Sequence, residues 1–478
     1  MSLKVYDTMT KSLREFVPRD PGKVSIYVCG VTPYNFCHIG NARPFLVWDV
    51  IRRYLTYKGY SVRYVQNFTD VDDKIINQAQ KEGVSALEIA DRYIKEYFHD
   101  MDALGIQRVD VYPRVTDHIS DIIALVDKLI EKGHAYVLDG SVYYSVESFP
   151  EYGKLSGRSL DDLKAGARVE VDERKRHPMD FVLWKPSKEN EPAWDSPWGP
   201  GRPGWHIECS VMALKYLGPG FDFHGGGSDL IFPHHENEVA QSEAALGTPF
   251  VRYWVHNGFI NMGGEKMAKS VGNITRVRDL IKQYPGPAIR YYILSTHYRS
   301  PLDFRLEDMP AAVRGWKRLV NLEDNLERAL AGTEIKPPAD LSPAARQFQD
   351  LLAKHRQAFE TAMDDDFNTA QAVGVLFDLA RDLNRYLAAG AIEGERAVML
   401  ADGRDLFLSL GGVLGLTGTS ERSADKALLD DLIQLVAELR EDARARKDYA
   451  TADRVRDRLS QLGIILEDTA AGVRWRYR

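Results

Sequence analysis

The chain has 478 residues, 44% hydrophobic and 27% charged, with 62 Lys and Arg against 69 Asp and Glu and a net charge of −7. At roughly 100–200 residues per domain this length gives about three domains, and the ordinary apolar content excludes disorder over most of it. No run of about 18 apolar residues occurs, the N-terminus has neither an apolar signal core nor transit-peptide character, and three cysteines cannot staple a fold, so a cytoplasmic, reducing setting with no membrane partner is expected.

Apolar residues at Val24, Ile26 and Val28 predict a strand from Lys23, and the helical spacing of Val47, Val50, Ile51, Tyr54 and Leu55 predicts a helix opening near Gly40. A second strand follows at Ser61–Phe68. Two strands joined by one amphipathic helix form a right-handed βαβ unit with a parallel sheet, and such sheets bind ligands at the strands' carboxyl ends, where Cys29 to His38 fall. Helices and a hairpin arm (GSVYYSV) come next, and the Gly-, Pro- and charge-rich stretch 151–204 reads as an insertion. The sheet resumes near Phe221–His224 and Tyr253–His256. Beyond Pro310 the pattern is helical, broken by two joints of linker composition, and the chain closes on a charged helix with a short strand-like end.

Four groups of residues could carry chemistry. In His38-Ile-Gly-Asn41, Gly40 lets backbone approach a phosphate, the helix N-terminus offers free N–H groups, and His38 could donate to an oxygen gaining charge. The competing reading is a turn whose histidine caps the helix. Lys266-Met-Ala-Lys269 sits in a Gly-flanked loop and suits contacts to a triphosphate, against the reading of a solvated basic loop. Cys29, Cys209, His234 and Glu238 are ligand types that zinc accepts together. His234 and Glu238, four apart after Pro233, share a helical face. His235 lies three before Glu238, so spacing leaves both histidines open, and Cys37 reads as packing. Around Gly204–Cys209 and His224–Asp229, Asp229 could hold an ammonium, His224 could meet a carboxylate and Trp205 could close an apolar wall.

The strings YVCGVTPYNFCHIGNARPFLVWDV, NFTDVDDKII, GRPGWHIECSVMALKYLG, DFHGGGSDLIFPHHENEVAQSEA, EKMAKSVGN and AMDDDFNTAQA resemble the cysteinyl-tRNA synthetases, a class I aminoacyl-tRNA synthetase family, over nearly the whole chain. The resemblance implies an α/β fold: a Rossmann-like parallel sheet catalytic domain with an insertion, then an α-helical bundle and a small anticodon-binding domain. The expected boundaries are 1–115 and 205–310 for the catalytic halves, 116–204 for the insertion, 311–420 for the bundle and 421–478 for the anticodon domain.

The resemblance also implies one zinc per chain on Cys29, Cys209, His234 and Glu238. It puts Gly30, Thr69, Trp205, His224 and Asp229 in the amino-acid pocket, and ATP, with magnesium, on His38, Gly40, Asn41, Lys266 and Lys269. Of these, His38, Asn41, Lys266 and Lys269 would be catalytic. The tRNA would meet Arg444, Asp453 and Asp468, and Trp475 is added because Arg474 to Tyr477 interleave cations with rings that could stack on bases. The implied partners are L-cysteine, ATP and a cysteine tRNA, with the protein a monomer. Two departures stand out. Asn41 occupies a position usually histidine and can orient but not carry charge, and Ala268 replaces a serine. Rival readings are a ligase joining cysteine to an amino sugar, as in mycothiol synthesis, and a zinc-stabilised binding module without catalysis.

Overall fold

In the computed structural model, which describes residues 2–159, 174–266, 274–336, 338–418, 424–462, 464–469 and 472–477, the chain opens with the hairpin β1 (Lys4–Asp7) and β2 (Ser12–Glu15). It continues as β3 (Lys23–Val31), α1 (Ile39–Tyr57) and β4 (Ser61–Phe68), with β3 and β4 parallel. Val24, Ile26 and Val28 are buried as their spacing predicts, but so are Ser25 and Tyr27 between them. A parallel strand under crossover helices is covered on both faces, so alternation described only half of its burial.

Helices α2 (Asp73–Glu82), α3 (Ala86–Ala103) and α4 (Ile119–Glu131) lead into an antiparallel sheet of β5 (Ala135–Leu138), β6 (Ser141–Tyr144), β7 (Phe181–Pro186) and β8 (Gly201–Pro203). The hairpin is thus part of the inserted sheet rather than its approach. After α5 (Trp205–Leu217) the main sheet resumes with β9 (Phe221–Gly227), α6 (Glu236–Leu246) and β10 (Val251–Asn257). The strand order is β10-β9-β3-β4, all parallel. The chain leaves β3 toward β4 on one side and returns to β9 on the other. The crevice at the carboxyl ends of β3 and β9 is therefore the switch point where such sheets take ligands.

A small sheet follows: β11 (Ile260–Met262), β12 (Glu265–Lys266) and, after α7 (Val277–Ile281) and α8 (Gly286–Leu294), β13 (Leu302–Phe304). The bundle helices are α9 (Met309–Leu330), α10 (Pro343–Asp364), α11 (Thr369–Ala388) and α12 (Gly394–Leu414). These elements form one compact unit ending at Gly418. A second unit, from Thr419, holds α13 (Ala424–Ala445), α14 (Tyr449–Gln461) and the antiparallel pair β14 (Ile464–Thr469) and β15 (Gly472–Tyr477). None of the described helices is long and apolar enough to cross a membrane.

Helix α1 is the spine of the first unit. Its buried face meets the sheet, while Asp49 binds the fully buried Arg290 of α8 and, at 2.8 Å, Arg53 one turn on. Arg290 and Arg53 also donate to the carbonyls of Leu414 and Gly412 at the end of α12, where the helix dipole favours cations. Without Arg290, Asp49 would keep Arg53 but the Leu414 carbonyl would lose its buried donor. Arg290→Met should lower stability by about 1–3 kcal/mol, read as a drop in the urea midpoint of the first unit, and an unchanged midpoint would contradict this account.

Candidate active site and metal centre

Four donor side chains arrive from three separate places in the fold. Cys29 lies two residues before the end of β3, next to Gly30, Cys209 lies in the first turns of α5, and His234 and Glu238 flank the start of α6. Gly30 is fixed by close approach: a Cβ there would lie 1.7 Å from the Asn67 carbonyl oxygen, and its N–H donates to Asn67 Oδ1 at 2.8 Å. The segment Ile231–His235 is a wider turn, and the α-helix begins only at Glu236, later than Pro233 suggested. The two donors nevertheless meet, with His234 Nε2 at 3.0 Å from Glu238 Oε1.

Cys29 Sγ is 3.5 Å from Cys209 Sγ, from His234 Nε2 and from Glu238 Oε1. A tetrahedral ion with bonds of about 2.0–2.3 Å spaces its ligands about 3.3–3.8 Å apart. The Cys29 distances fall in that window and the His234–Glu238 distance just below it. All four residues are buried, and all four ligand atoms lie within 4.8 Å of one another. A second buried set, Cys29, His224, His235 and Glu238, passes the same limit. In that set His224 Nε2 is bonded to Glu238 Oε2 at 2.8 Å and His235 Nδ1 to His256 Nε2 at 2.8 Å. The first set has two sulfurs and suits a soft ion better. Behind it, His206 Nδ1 lies 2.9 Å from His234 Nδ1, the outer contact that orients a ligating imidazole.

The pocket's electrostatics follow from crowding acids in a dry space. Burial pushes the Cys29 thiol well up, whereas the hydrogen bond from Cys29 pulls Cys209 down to about 6 despite its own burial. Burial opposes the charge of Glu238, but His224 and His234 overcome it and bring the carboxyl down to about 2. Burial likewise works against a charged His234, and Glu238 with Cys209 outweighs it, taking the imidazole up to about 10. His206 and His256 fall to about 3, through burial and then their imidazole neighbours. The shifts run in opposite directions within one buried cluster, and a divalent cation would favour the deprotonated form of every ligand.

A cleft of about 390 Å³ opens beside these donors, of which Cys29 lines it, together with Gly30, His38, Gly40, Asn41, Trp205, Asp229 and the strand end Asn257–Ile260, while Cys209, His234 and Glu238 lie behind that lining. Trp205 stacks on His234 with ring centres 4.2 Å apart and stands as one wall. Thr69 and His224 are not in the lining. Thr69 is buried and donates to Glu208 Oε2 at 3.1 Å. His224 lies beneath the donors, its ring against Trp254 at 4.4 Å, because its place on β9 turns it toward α6. In this structure the carboxylate that His224 meets is that of Glu238. A larger hollow of about 580 Å³ lies between α10 and α12, but none of the singled-out residues faces it.

At the other end of the cleft, His38 does cap α1. Its Nδ1 accepts from the Asn41 N–H at 3.2 Å, and Asn41 Oδ1 accepts from the His38 N–H at 3.4 Å. The capping reading and the cleft-lining position coexist. Asn41 therefore spends its amide oxygen on the helix start. The Ile39 N–H donates to Thr275 O and the Val277 N–H to Cys37 O, each at 3.0 Å, so the first motif is stitched to the segment following the second. Lys266 ends β12, paired with Asn261, and Lys269 lies outside the described residues. In the second unit Arg444 and Asp453 are exposed on α13 and α14, and Asp453 pairs with Arg456 at 3.3 Å. Asp468 and Trp475 sit opposite Val473 and Leu466 in the hairpin register, so the chain end is a paired strand rather than a frayed tail.

Sequence reasoning missed Asn67, His206 and His256, which contact the donors or their partners, and Phe36 and Asn257, which line the cleft. Their signal was position: Asn67 and His256 lie at the carboxyl ends of β4 and β10, and His206 lies three residues before Cys209. Gly30→Ala should cost about 1–3 kcal/mol of stability by overpacking and also loosen the Cys29 corner. A variant that melts like the wild type and holds metal equally well would refute this role for Gly30.

The chain matches the family model for the tRNA synthetases class I (C) catalytic domain over residues 15–314 and that for the DALR domain over residues 358–418. It is 55% identical to the cysteine–tRNA ligase of Pelotomaculum thermopropionicum and 54% identical to that of Moorella thermoacetica, in each case over 99% of both chains. Among solved structures, Mycobacterium tuberculosis methionyl-tRNA synthetase in complex with methionyl-adenylate superposes with a TM-score of 0.61 at 16% identity, covering 82% of this chain and 90% of that one, which speaks to the fold. With the first motif bonded to the segment Thr275–Val277 at a switch-point cleft and a soft-donor cluster beside it, the chain belongs to the cysteine–tRNA ligase family of class I synthetases.

Proposed function

We propose that the protein joins L-cysteine to its tRNA through a cysteinyl-adenylate made from ATP, with zinc at Cys29, Cys209, His234 and Glu238 selecting the substrate. The observation that carries the reading is the cleft itself, which has Cys29, one corner of the buried donor cluster, in its wall and the start of α1 at its rim. A pocket's shape alone separates an amino acid from a near-isostere only by roughly 10–200-fold. Bound there, zinc supplies a soft partner for a thiolate that a hydroxyl does not match.

The residues of the chain do the rest by placement. Trp205 excludes water beside the donors, and Asp229, exposed at the rim, is placed to hold the substrate's ammonium. The carboxylate of cysteine then attacks the ATP α-phosphate. The N-terminus of α1, with Gly40 and Asn41, faces the phosphates, and His38 stands at the same edge. Lys266 and Lys269 would neutralise the departing pyrophosphate, held with magnesium. A ribose hydroxyl of the tRNA finally attacks the acyl carbon, giving up its proton as the mixed-anhydride bond breaks and AMP leaves.

The anticodon end of the tRNA is assigned to the second unit, through Arg444, Asp453, Asp468 and Trp475. Residues 434–478 hold ten Lys and Arg against eight Asp and Glu, so recognition there depends on placement rather than bulk charge. The domain boundaries given by the sequence, a monomeric state and a cytoplasmic location belong to the same proposal. The relatives match through the C-terminal helices, over 99% of the chain, which favours a tRNA ligase over an amino-sugar ligase.

Cysteine-dependent exchange of labelled pyrophosphate into ATP, run beside tRNA charging, tests the reading. Both activities are expected, and exchange without charging would favour the sugar ligase. Cys209→Ser should release metal and lower the preference for cysteine over serine toward the roughly 10–200-fold that shape supplies. Undiminished preference in metal-free protein would overturn the role of zinc. Trp475→Ala should raise the KM for tRNA and leave exchange untouched, and an unchanged KM would remove Trp475 from the interface.

A further inference from the structure

Two residues beyond Asn41, Arg43 is 1% exposed, and no carboxylate pairs with it among the described residues. Its guanidinium is held by backbone instead. Nη1 donates to Gly258 O at 2.8 Å and Phe259 O at 2.7 Å, and Nη2 donates to Ser300 O at 2.7 Å and His297 O at 3.3 Å. Gly258 and Phe259 line the cleft at the end of β10, on the way to the second motif, and Arg43 itself does not. One planar fork thus joins the helix start carrying Gly40 and Asn41 to the cleft floor and to the 297–300 turn beneath that floor.

The floor rests directly on that turn. A Cβ on Gly258 would lie 2.6 Å from the Ser300 carbonyl, and the Gly258 N–H donates to Tyr298 O at 2.8 Å. The turn is in turn anchored by Asp366, between α10 and α11, which accepts from Tyr298 OH at 2.7 Å and from Arg299 Nε. Asp366 and Phe367 have φ of +56° and +52°, a left-handed backbone that non-glycine residues adopt only where their surroundings impose it. The surroundings here are β1, with Tyr6 N–H donating to Asp366 Oδ1 at 2.8 Å and the Asp366 N–H to Lys4 O at 3.0 Å. The acidic string AMDDDFNTAQA, to which the proposed reaction assigns no role, is therefore wired to the cleft.

We propose that Arg43 is a positioning residue for ATP. It sets the spacing between the α1 N-terminus and the Gly258–Phe259 floor, and Asp366 steadies the turn on which that floor sits. The proposal rests on reading the cleft as the adenylate-forming site. A lysine at this position keeps a charge but offers three donors from one point, which cannot span two pairs of carbonyls as a fork does.

The test is the full-length protein in cysteine-dependent pyrophosphate exchange, with ATP and cysteine varied separately. Arg43→Lys should lower kcat/KM for ATP by about 10–100-fold, the scale of a small misplacement far from the reacting atoms, while the KM for cysteine stays near the wild-type value. Arg299→Ala, whose parent side chain is 38% exposed, should shift ATP dependence in the same direction by a smaller factor, and the double variant should be non-additive. A purely structural role lowers kcat by the folded fraction and leaves both KM values alone. If Arg43→Lys does not fold, Arg299→Ala decides. Unchanged ATP dependence in the folded variants would overturn the role of Arg43, whereas no exchange in the wild type would instead overturn the reading of the cleft.

Discussion

Three acidic ligand groups and an imidazole, all shielded from water, cannot share one pocket unless their charges are reconciled. Among Cys29, Cys209, His234 and Glu238, burial holds the Cys29 thiol up, while despite burial the hydrogen bond from Cys29 brings Cys209 down and the neighbouring imidazoles bring Glu238 down. A divalent soft ion resolves the same conflict with full coordination. The bare backbone at Gly30, the stacked ring of Trp205 and the outer imidazole of His206 surround the four groups.

The topology explains why the donors converge. The reversal of strand order between β3 and β9 opens a crevice at their carboxyl ends, and the inserted antiparallel sheet hands the chain back at α5 so that Cys209 enters from above. The same crevice receives the start of α1. In the proposed reaction, amino-acid and phosphate recognition fall at opposite ends of this one cleft. Arg43 and the 297–300 turn keep those ends at a fixed spacing.

Much of this was legible in the sequence because periodicity and residue type encode it. The βαβ unit, the resumed sheet, the helices beyond Pro310 and the strand-like end follow from spacing, the bundle from resemblance, and the four donors from ligand chemistry together with resemblance. What stayed hidden depended on contacts between distant segments. His224 is a strand residue whose direction is decided by Glu238 and Trp254, and no local pattern reveals that it lies under the donors. Thr69 is likewise taken up by Glu208. Arg43 looked like an ordinary residue of an amphipathic helix, since its four partners are carbonyls 215 to 257 positions away and a carbonyl has no sequence signature. The choice between His234 and His235 could not be made from spacing, because both reach Glu238 and only the second cysteine separates the two sets.

The most direct test of the central claim is X-ray absorption at the zinc edge of the purified protein, with and without L-cysteine. Two sulfur neighbours at about 2.3 Å are expected from the protein alone and a third on adding cysteine, with no change on adding serine. A sulfur count that stays at two with cysteine, or a shell rich in imidazole and poor in sulfur, would contradict selection of the substrate by its sulfur at this site.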